Sequence, residues 1–531
     1  MSIPLRPTWR THYALGVLAA IYIFNYIDRL LMAILIEPVK AEFGISDTGI
    51  GLLSGVTFAV FYTLFGFPLG RLSDRIGRKK VIAFSCIAWS VMTIFCGFAA
   101  SFAMLVIARI GVAIGEAGGT APSMAMVSDL YPPERRSTAL SVLMLGSSLG
   151  AIFGLGLGGW IAQHYGWRFA FVVIGAPGIF LGLLLLLTVR APKPARLVSP
   201  SLVAQDHWAV TVRQLFQTPS FFWLVCTGGS AAIAGYAIGT WSPSFLIRSH
   251  GLSLQDAGLL AGVAGGAGAT FGTLTCGILC DRLARRDKGW QIGVPLLGTL
   301  ISIPFGLAYF LWPVGTAFYV GNTPVPSAFL FYGVFSFFGT WWATPCLGAI
   351  SHLFPATRLA QATAIFVMAM TLLGVGVGPL LIGMLSDGFA HTLGNEGLRY
   401  ALASCVSLLV LASVFLALAL PRYRNHLMNK TPTQHRWLTR PLPDNWRLTD
   451  DRTRPSPAHR PLCDTGQRPA PALSRRGQRP GRIVAAWQRP GRQRLQQLQG
   501  QLPAVCRCRV SQPGGGFAGF RPLRQAGRGE L

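Results

Sequence analysis

Along most of its length the chain alternates long apolar runs with short polar stretches. A helix crosses a bilayer with about 20 mostly apolar residues. Runs of that kind lie near 12–36, 48–69, 80–100, 102–128, 138–162, 168–189, 219–247, 255–280, 291–312, 325–350, 361–386 and 398–420. They predict twelve transmembrane helices in an all-α membrane protein. The longest polar stretch before the tail, roughly 190–217, divides them six and six. The expected organisation is a six-helix bundle over 1–189, a central cytoplasmic loop over 190–217, a second bundle over 218–420 and a polar tail over 421–531. The first run is too long for a signal peptide and no small-residue cleavage site follows it, so it is expected to stay as a span.

Basic residues orient the runs. Arg71, Arg75, Arg78, Lys79 and Lys80 lie between runs 2 and 3, and Arg135 and Arg136 between 4 and 5. Arg190, Lys193, Arg196 and Arg213 lie between 6 and 7, and Arg282, Arg285, Arg286 and Lys288 between 8 and 9. The alternate loops carry only Lys40, Arg168, Arg248 and Arg399. Both termini are therefore expected in the cytoplasm, with the protein in the cell membrane.

Three sequence pairs recur in register. GRLSDRIGRKK (70–80) answers to GILCDRLARR (277–286), SDLYPPERR (128–136) to SHLFPATR (351–358), and GWRFAF (166–171) to GLRYAL (397–402). A repeated unit of six helices enters the membrane the same way twice, so the two bundles form a parallel repeat. Glycines four residues apart, at 146, 150, 154 and 158 in run 5 and at 258, 262 and 266 in run 8, mark faces where helices pack closely or slide.

Composition agrees with a lipid environment. Apolar residues make up 51% of the chain and charged residues 12%, half the share of a soluble domain. The net charge of +27 suggests nucleic acid, but residues 421–531 hold 22 of the 46 Lys+Arg and 5 of the 19 Asp+Glu. The rest follows the loop pattern above, and no nucleic-acid partner is expected. Seven of the ten cysteines fall inside apolar runs, where they are expected as small buried residues. His12, His164, His250 and His352 sit near run ends at unrelated spacings, so no metal site is expected. There is no GxxxxGKS/T loop and no hydrolytic or redox constellation, which argues against ATP drive, a cofactor and enzyme activity.

The 70–80 stretch resembles the loop signature of the major facilitator superfamily. Gly70 would permit a tight contact at the helix end, Asp74 would accept hydrogen bonds from a neighbouring helix N-terminus, and Arg75 and Arg78 would hold the loop at the membrane surface around Gly77. Asp281 and Arg282 stand in the second copy. By this resemblance the loop steadies one end-state of a transport cycle. A closer likeness is to Spinster-like transporters, carried by NYIDR (25–29), EFGISDTGIGLLSG (42–55), ARIGVAIGEAG (108–118), SDLYPPERR and WSPSFLIRSHGLS (241–253). The first- and fourth-run motifs also resemble the anion:cation symporters. The resemblance covers about residues 12–420 and implies two six-helix bundles flanking a cavity that opens alternately to each side, in a protein acting as a monomer.

Ionisable groups within a span are expensive, so each is a candidate functional residue. Asp28 and Arg29 lie in run 1, and Arg109 and Glu116 in run 4. The latter two are seven residues apart and share a helix face, about 10 Å apart along the axis. A carboxylate that alternates between an arginine and a proton is a coupling element; fixed ion pairs that only hold helices together are the alternative. The resemblance assigns proton coupling to Asp28 and Glu116, and substrate contact or poising of the acid to Arg29 and Arg109. Asn25 and Tyr22, each one turn earlier, are expected on the same cavity, with packing or an interface anchor the alternative for Tyr22, and Trp241 and Phe245 on an apolar wall. Pro122 and Pro243 are expected to break their helices. The substrate expected is a small or amphipathic organic solute, lysolipid-like or an organic anion. A non-transporting receptor on the same scaffold is the rival. The tail, rich in Arg, Pro and Gln with QRPGR at 478–482 and 488–492, is expected to be disordered, and reads like out-of-frame sequence.

Overall fold

The computed structural model describes residues 8–190, 208–320 and 323–430, all within one compact unit. The expected tail disorder lies outside the described residues. So does most of the central loop, apart from a helix over Trp208–Phe216.

Among the described residues, ten helical stretches are long and apolar enough to cross a membrane. Nine are single crossings, spans 1 to 9: Trp9–Ile34, Asp47–Ile76, Arg78–Gly97, Phe102–Leu130, Arg135–Tyr165, Trp167–Thr188, Pro219–His250, Leu254–Ala284 and Trp290–Leu311. The tenth covers 71 residues, Arg358–Met428, and turns back at Gly394, where φ is +57°. It holds spans 11 and 12. Span 10 consists of Phe329–Gly339 and Ala343–Leu353, too interrupted to count as one long helix. The twelve expected crossings are thus accommodated. Span 12 continues to Lys430, ten residues past the expected edge of its bundle. A hairpin pairing Ala317–Val320 with Thr323–Pro326 joins spans 9 and 10, which the apolar pattern did not announce.

The repeat is visible in the backbone. Gly44 and Gly251 both end helices in the left-handed region, with φ of 64° and 66°. Ser46 and Ser253 follow them as N-caps, accepting from the backbone N–H of Gly49 and Asp256. These pairs, and Asp74 with Asp281, are offset by 207 residues. Span 4 breaks between Ala117 and Thr120, and span 10 between Gly339 and Ala343. Pro122 and Pro345 lie just beyond and lack the N–H that would bond four residues back into each break. They are offset by 223 residues, as are SDLYPPERR and SHLFPATR. Pro243, by contrast, sits inside the unbroken helix of span 7. Its neighbours hold the helix together despite the one missing bond.

The two halves pack against each other at one end, where the 1–2, 7–8 and 11–12 connections lie. A Cβ on Gly51 would come 2.6 Å from the Pro379 carbonyl oxygen, and one on Gly55 2.5 Å from that of Gly376. Span 8 meets span 5 in the same way, Gly258 against Leu155 and Gly262 against Ile152. Spans 2 and 11 each carry a π-helical turn at this contact, Leu52–Thr57 and Met370–Val377, a distortion common at functional sites. At the other end nothing lies within 4 Å of a Cβ on Gly66, Gly70 or Gly277. One end is closed and the other open.

Candidate functional site

Asp28 and Arg29 are neighbours on span 1, so their side chains diverge by about 100°. They reach two different levels of span 4 and form crossed ion pairs. Arg29 donates to Glu116 Oε2 through Nη2 at 2.6 Å and Nε at 3.1 Å. Arg109 Nη1 lies 3.7 Å from Asp28 Oδ1. Thr93 of span 3 donates to the other oxygen of Asp28. Asp28, Arg109 and Glu116 are buried, while the Arg29 side chain keeps 17% exposure. Expectation placed Arg109 and Glu116 on one face; the partners they take come from span 1.

Aromatic rings wall this cluster. Arg29 lies 5.1 Å from the ring centre of Phe58, 5.1 Å from Tyr62 and 5.3 Å from Tyr26. Arg109 lies 5.8 Å from the same Phe58 ring. Phe58 begins the helix after the π-helical turn of span 2, and that turn rotates it between the two guanidinium groups. Cation–π contacts of this kind contribute about 0.5–2 kcal/mol each, more when desolvated. Several polar atoms here are buried without a hydrogen-bond partner among the described residues: Asp28 Oδ1, Glu116 Oε1, Arg109 Nε and Nη1, and both amide atoms of Asn25. Each such atom costs roughly 1–3 kcal/mol. They leave unused hydrogen-bonding capacity inside the cluster.

The second half presents a cavity of about 210 Å³. Its wall is mostly apolar and small: Gly235 and Ile238 of span 7, Ala261 of span 8, and Tyr332 and Gly339 of span 10, closed on the first-half side by Leu30 and Leu155. Leu30 follows Arg29 on span 1, one helix position from the charged cluster, and no member of that cluster lines the cavity among the described residues.

Trp241 and Phe245 do not line this cavity. Trp241 is fully buried and donates its indole N–H to the Pro379 carbonyl at 3.0 Å. Phe245 meets Tyr309, Phe310 and His250 edge-on, each at 5.2 Å. Both residues are packing at the closed end because they lie beyond Gly239, the last span 7 residue on the cavity. Tyr22 also packs, with its hydroxyl on Met144 Sδ at 3.8 Å and its ring against Gly146 of span 5. Asn25 does stay with the cluster.

The sequence matches the Major Facilitator Superfamily family over residues 18–345. It is 35% identical over 424 residues to an MFS-type efflux pump of Mycolicibacterium smegmatis, covering 79% of this chain and 95% of that protein. The chain belongs to the major facilitator superfamily. It is similar to the sphingosine-1-phosphate transporter SPNS2 of Danio rerio, at 28% identity over 434 residues, 76% of this chain and 82% of that one. It is also similar to the crystal structure of a bacterial homologue of the human lysosomal transporter Spinster, inward-facing and unoccupied. That match has a TM-score of 0.69 and 29% identity, and covers 79% of this chain and 98% of the other. The protein is thus a multi-pass membrane transporter with Spinster-like relatives.

In this major facilitator chain the loop signature is only partly engaged. Gly77, with φ of 100°, makes the sharp turn between spans 2 and 3. Arg78 anchors the loop on span 4, donating to the Ala125 carbonyl at 2.9 Å and to Asp129. Gly70 packs against nothing, and Asp74 is mostly exposed with Arg78 3.9 Å away. The tight contact and helix cap expected of these two are missing because the halves stand apart at this end. Arg75, Asp281 and Arg282 are exposed there and make no ion pair among the described residues. Asp287, just beyond, pairs with Arg424 of span 12 at 2.5 Å and accepts the Gly289 N–H, and both hold its carboxyl below its usual pKa.

The closed end of this major facilitator fold carries a charge network that the sequence reading missed. Asp47 at the head of span 2 accepts both terminal nitrogens of Arg248 from span 7, at 2.7 and 2.8 Å. It also accepts from Lys40 at 2.5 Å and from Ser386 of span 11 at 2.6 Å. Arg248 reaches Glu37 at 2.9 Å. Asp387 of span 11 accepts the backbone N–H groups of Asp47 and Thr48, capping span 2 from the opposite half. Arg248 had been read as an ordinary loop charge. Its place on the helix, one turn beyond Phe245, is the signal that was available.

Proposed function

We propose that this protein is a proton-coupled secondary transporter of a small amphipathic organic solute, working by alternating access in the cell membrane with both termini cytoplasmic. The observation that carries the reading is the pair of crossed, buried ion pairs, Arg29 with Glu116 and Arg109 with Asp28, beside an apolar cavity. Protonation of Glu116 removes the charge that holds Arg29. The guanidinium, already the most exposed member of the cluster, then turns to an anionic group on the solute. Asp28 stands in the same relation to Arg109, with Asn25 one turn away to bind a polar group. The apolar cavity takes the solute's hydrocarbon. A lysolipid-like molecule fits this division. It also accords with one relative being named for transport of sphingosine-1-phosphate and another being named an efflux pump. An organic anion carried in symport with protons is the second reading, favoured by the two arginines.

With the basic loops inside, the closed end faces outward and the open end faces the cytoplasm. Transport then requires the Asp47–Arg248 network to part while the loop signature engages. The bundles are taken as 1–189 and 218–420, in a monomer whose residues 431–531 are dispensable: deleting them leaves uptake unchanged.

The test uses purified protein in liposomes loaded with a pH-sensitive dye and challenged with lysolipids, sugar acids and carboxylates. A substrate-driven pH change that Glu116→Gln abolishes supports the proposal, and its direction distinguishes symport from antiport. Uptake without any pH change would overturn proton coupling. Binding of a solute without its uptake would favour a receptor.

A further inference from the structure

A second cavity, of about 290 Å³, lies at the open end between the first turns of span 1 and the end of span 6. Arg10, Thr11 and Tyr13 line it from span 1, Thr188 and Arg190 from the end of span 6, and Leu130 from span 4. Among the described residues no carboxylate is part of its wall. The hydroxyl groups are occupied. Tyr13 and Thr188 share a hydrogen bond at 2.8 Å, Thr188 donates to the Leu184 carbonyl at 2.7 Å, and Thr11 lies 3.3 Å from both the backbone nitrogen and the hydroxyl of Thr8. That leaves two guanidinium groups, both exposed, and neither has an ion-pair partner among the described residues. Guanidinium presents its N–H donors as a planar fork that matches phosphate oxygens in pairs. The positive end of span 1 points the same way, with no acidic residue in its first turn to offset it.

The surroundings select the source of the phosphate. Leu187, one residue before Thr188, is 82% exposed, and Leu183 and Phe180 continue the exposed apolar face along span 6. Trp9 stands exposed beside Arg10, an amphipathic ring of the kind enriched at membrane interfaces. An acyl chain lying along span 6 would bring its headgroup to the two arginines. We propose that this cavity binds the phosphate of an anionic phospholipid from the surrounding bilayer.

The test is native mass spectrometry of the full chain in detergent, titrated with phosphatidylglycerol. One tightly held lipid is expected. Its affinity should fall tenfold or more in Arg10→Gln/Arg190→Gln and remain unchanged in Arg285→Gln/Arg286→Gln, which removes the same charge at the open end of the other half. Phosphatidylcholine should bind at least tenfold more weakly, and inorganic phosphate should not displace the lipid. Unchanged lipid binding in the Arg10/Arg190 pair, or an equal loss in the Arg285/Arg286 pair, overturns the site. Equal binding of phosphatidylcholine overturns its dependence on charge. Displacement by inorganic phosphate identifies a free-anion site and overturns the lipid. Should the double variant fail to fold, Arg190→Gln alone, at an exposed position, is expected to weaken the lipid severalfold, and wild-type affinity there contradicts the proposal.

Discussion

Where the first half buries Asp28, Arg29, Arg109 and Glu116, the repeat offsets place Gly235, Tyr236, Tyr332 and Gly339 in the second. Three of those four line the apolar cavity. The same helix positions in one fold thus carry charge on one side and volume on the other. A charge taken from water needs its partner nearby, and spans 1 and 4 of one bundle supply both partners of each pair. Space for a solute has no such need and can be made by small residues alone. In the proposed function each half takes one of these tasks. The closed end is where they interact, through side chains that cross between halves.

The largest effect is expected from unpairing the charges. In Arg29→Gln, Glu116 is left buried without its cation, a change that costs roughly 3–5 kcal/mol. Thermal unfolding in detergent should fall markedly and recover for the most part in Arg29→Gln/Glu116→Gln. A single variant as stable as wild type would mean that the pair is not held as described.

Loosening the contact between halves comes next. Asp47→Asn removes the charge shared by Arg248 and Lys40 and turns one of the two accepting oxygens into a donor, and couplings of this kind are worth about 1–3 kcal/mol. Spin labels at exposed Tyr165 and Thr392, on opposite halves at the closed end, should show a longer distance gaining population. An unchanged distribution would assign closure to the glycine contacts instead.

Filling the second half should act on the solute and leave the proton alone. A Cβ on Gly235 meets open space and one on Gly339 only Phe335 Cζ at 4.0 Å, so Gly339→Leu should fold normally and raise KM roughly tenfold, about 1.4 kcal/mol. An unaltered KM with a lost proton response would reverse the division between halves. The smallest effect belongs to Phe58. Its loss in Phe58→Leu removes about 1 kcal/mol of cation–π contact, a severalfold fall in kcat/KM that Phe58→Tyr should largely avoid.

The spans, the repeat and the four charges were legible because apolar length, recurring motifs and intramembrane charge are local signals. The pairing was not. Seven residues put Arg109 and Glu116 on one face, but whether they meet each other or span 1 depends on how two helices sit side by side. Trp241 and Phe245 look like cavity wall by spacing and prove to be packing, because spacing gives a face and not what covers it. Asp47 and Arg248 lie where spans meet polar sequence, and charges there read as solvated until the fold brings opposite halves together. The position of Phe58 depends on a π-helical turn, which leaves no mark in a 3.6-residue pattern.

The central claim is that the first-half carboxylates carry coupling while the second-half cavity takes the solute's hydrocarbon. It is tested most directly by comparing two modes of transport in Glu116→Gln in liposomes: exchange of labelled for unlabelled solute, and accumulation driven by a pH gradient. The account predicts that exchange persists while gradient-driven accumulation is lost. Accumulation at the wild-type level, or equal loss of both in a protein that folds and inserts normally, would contradict it.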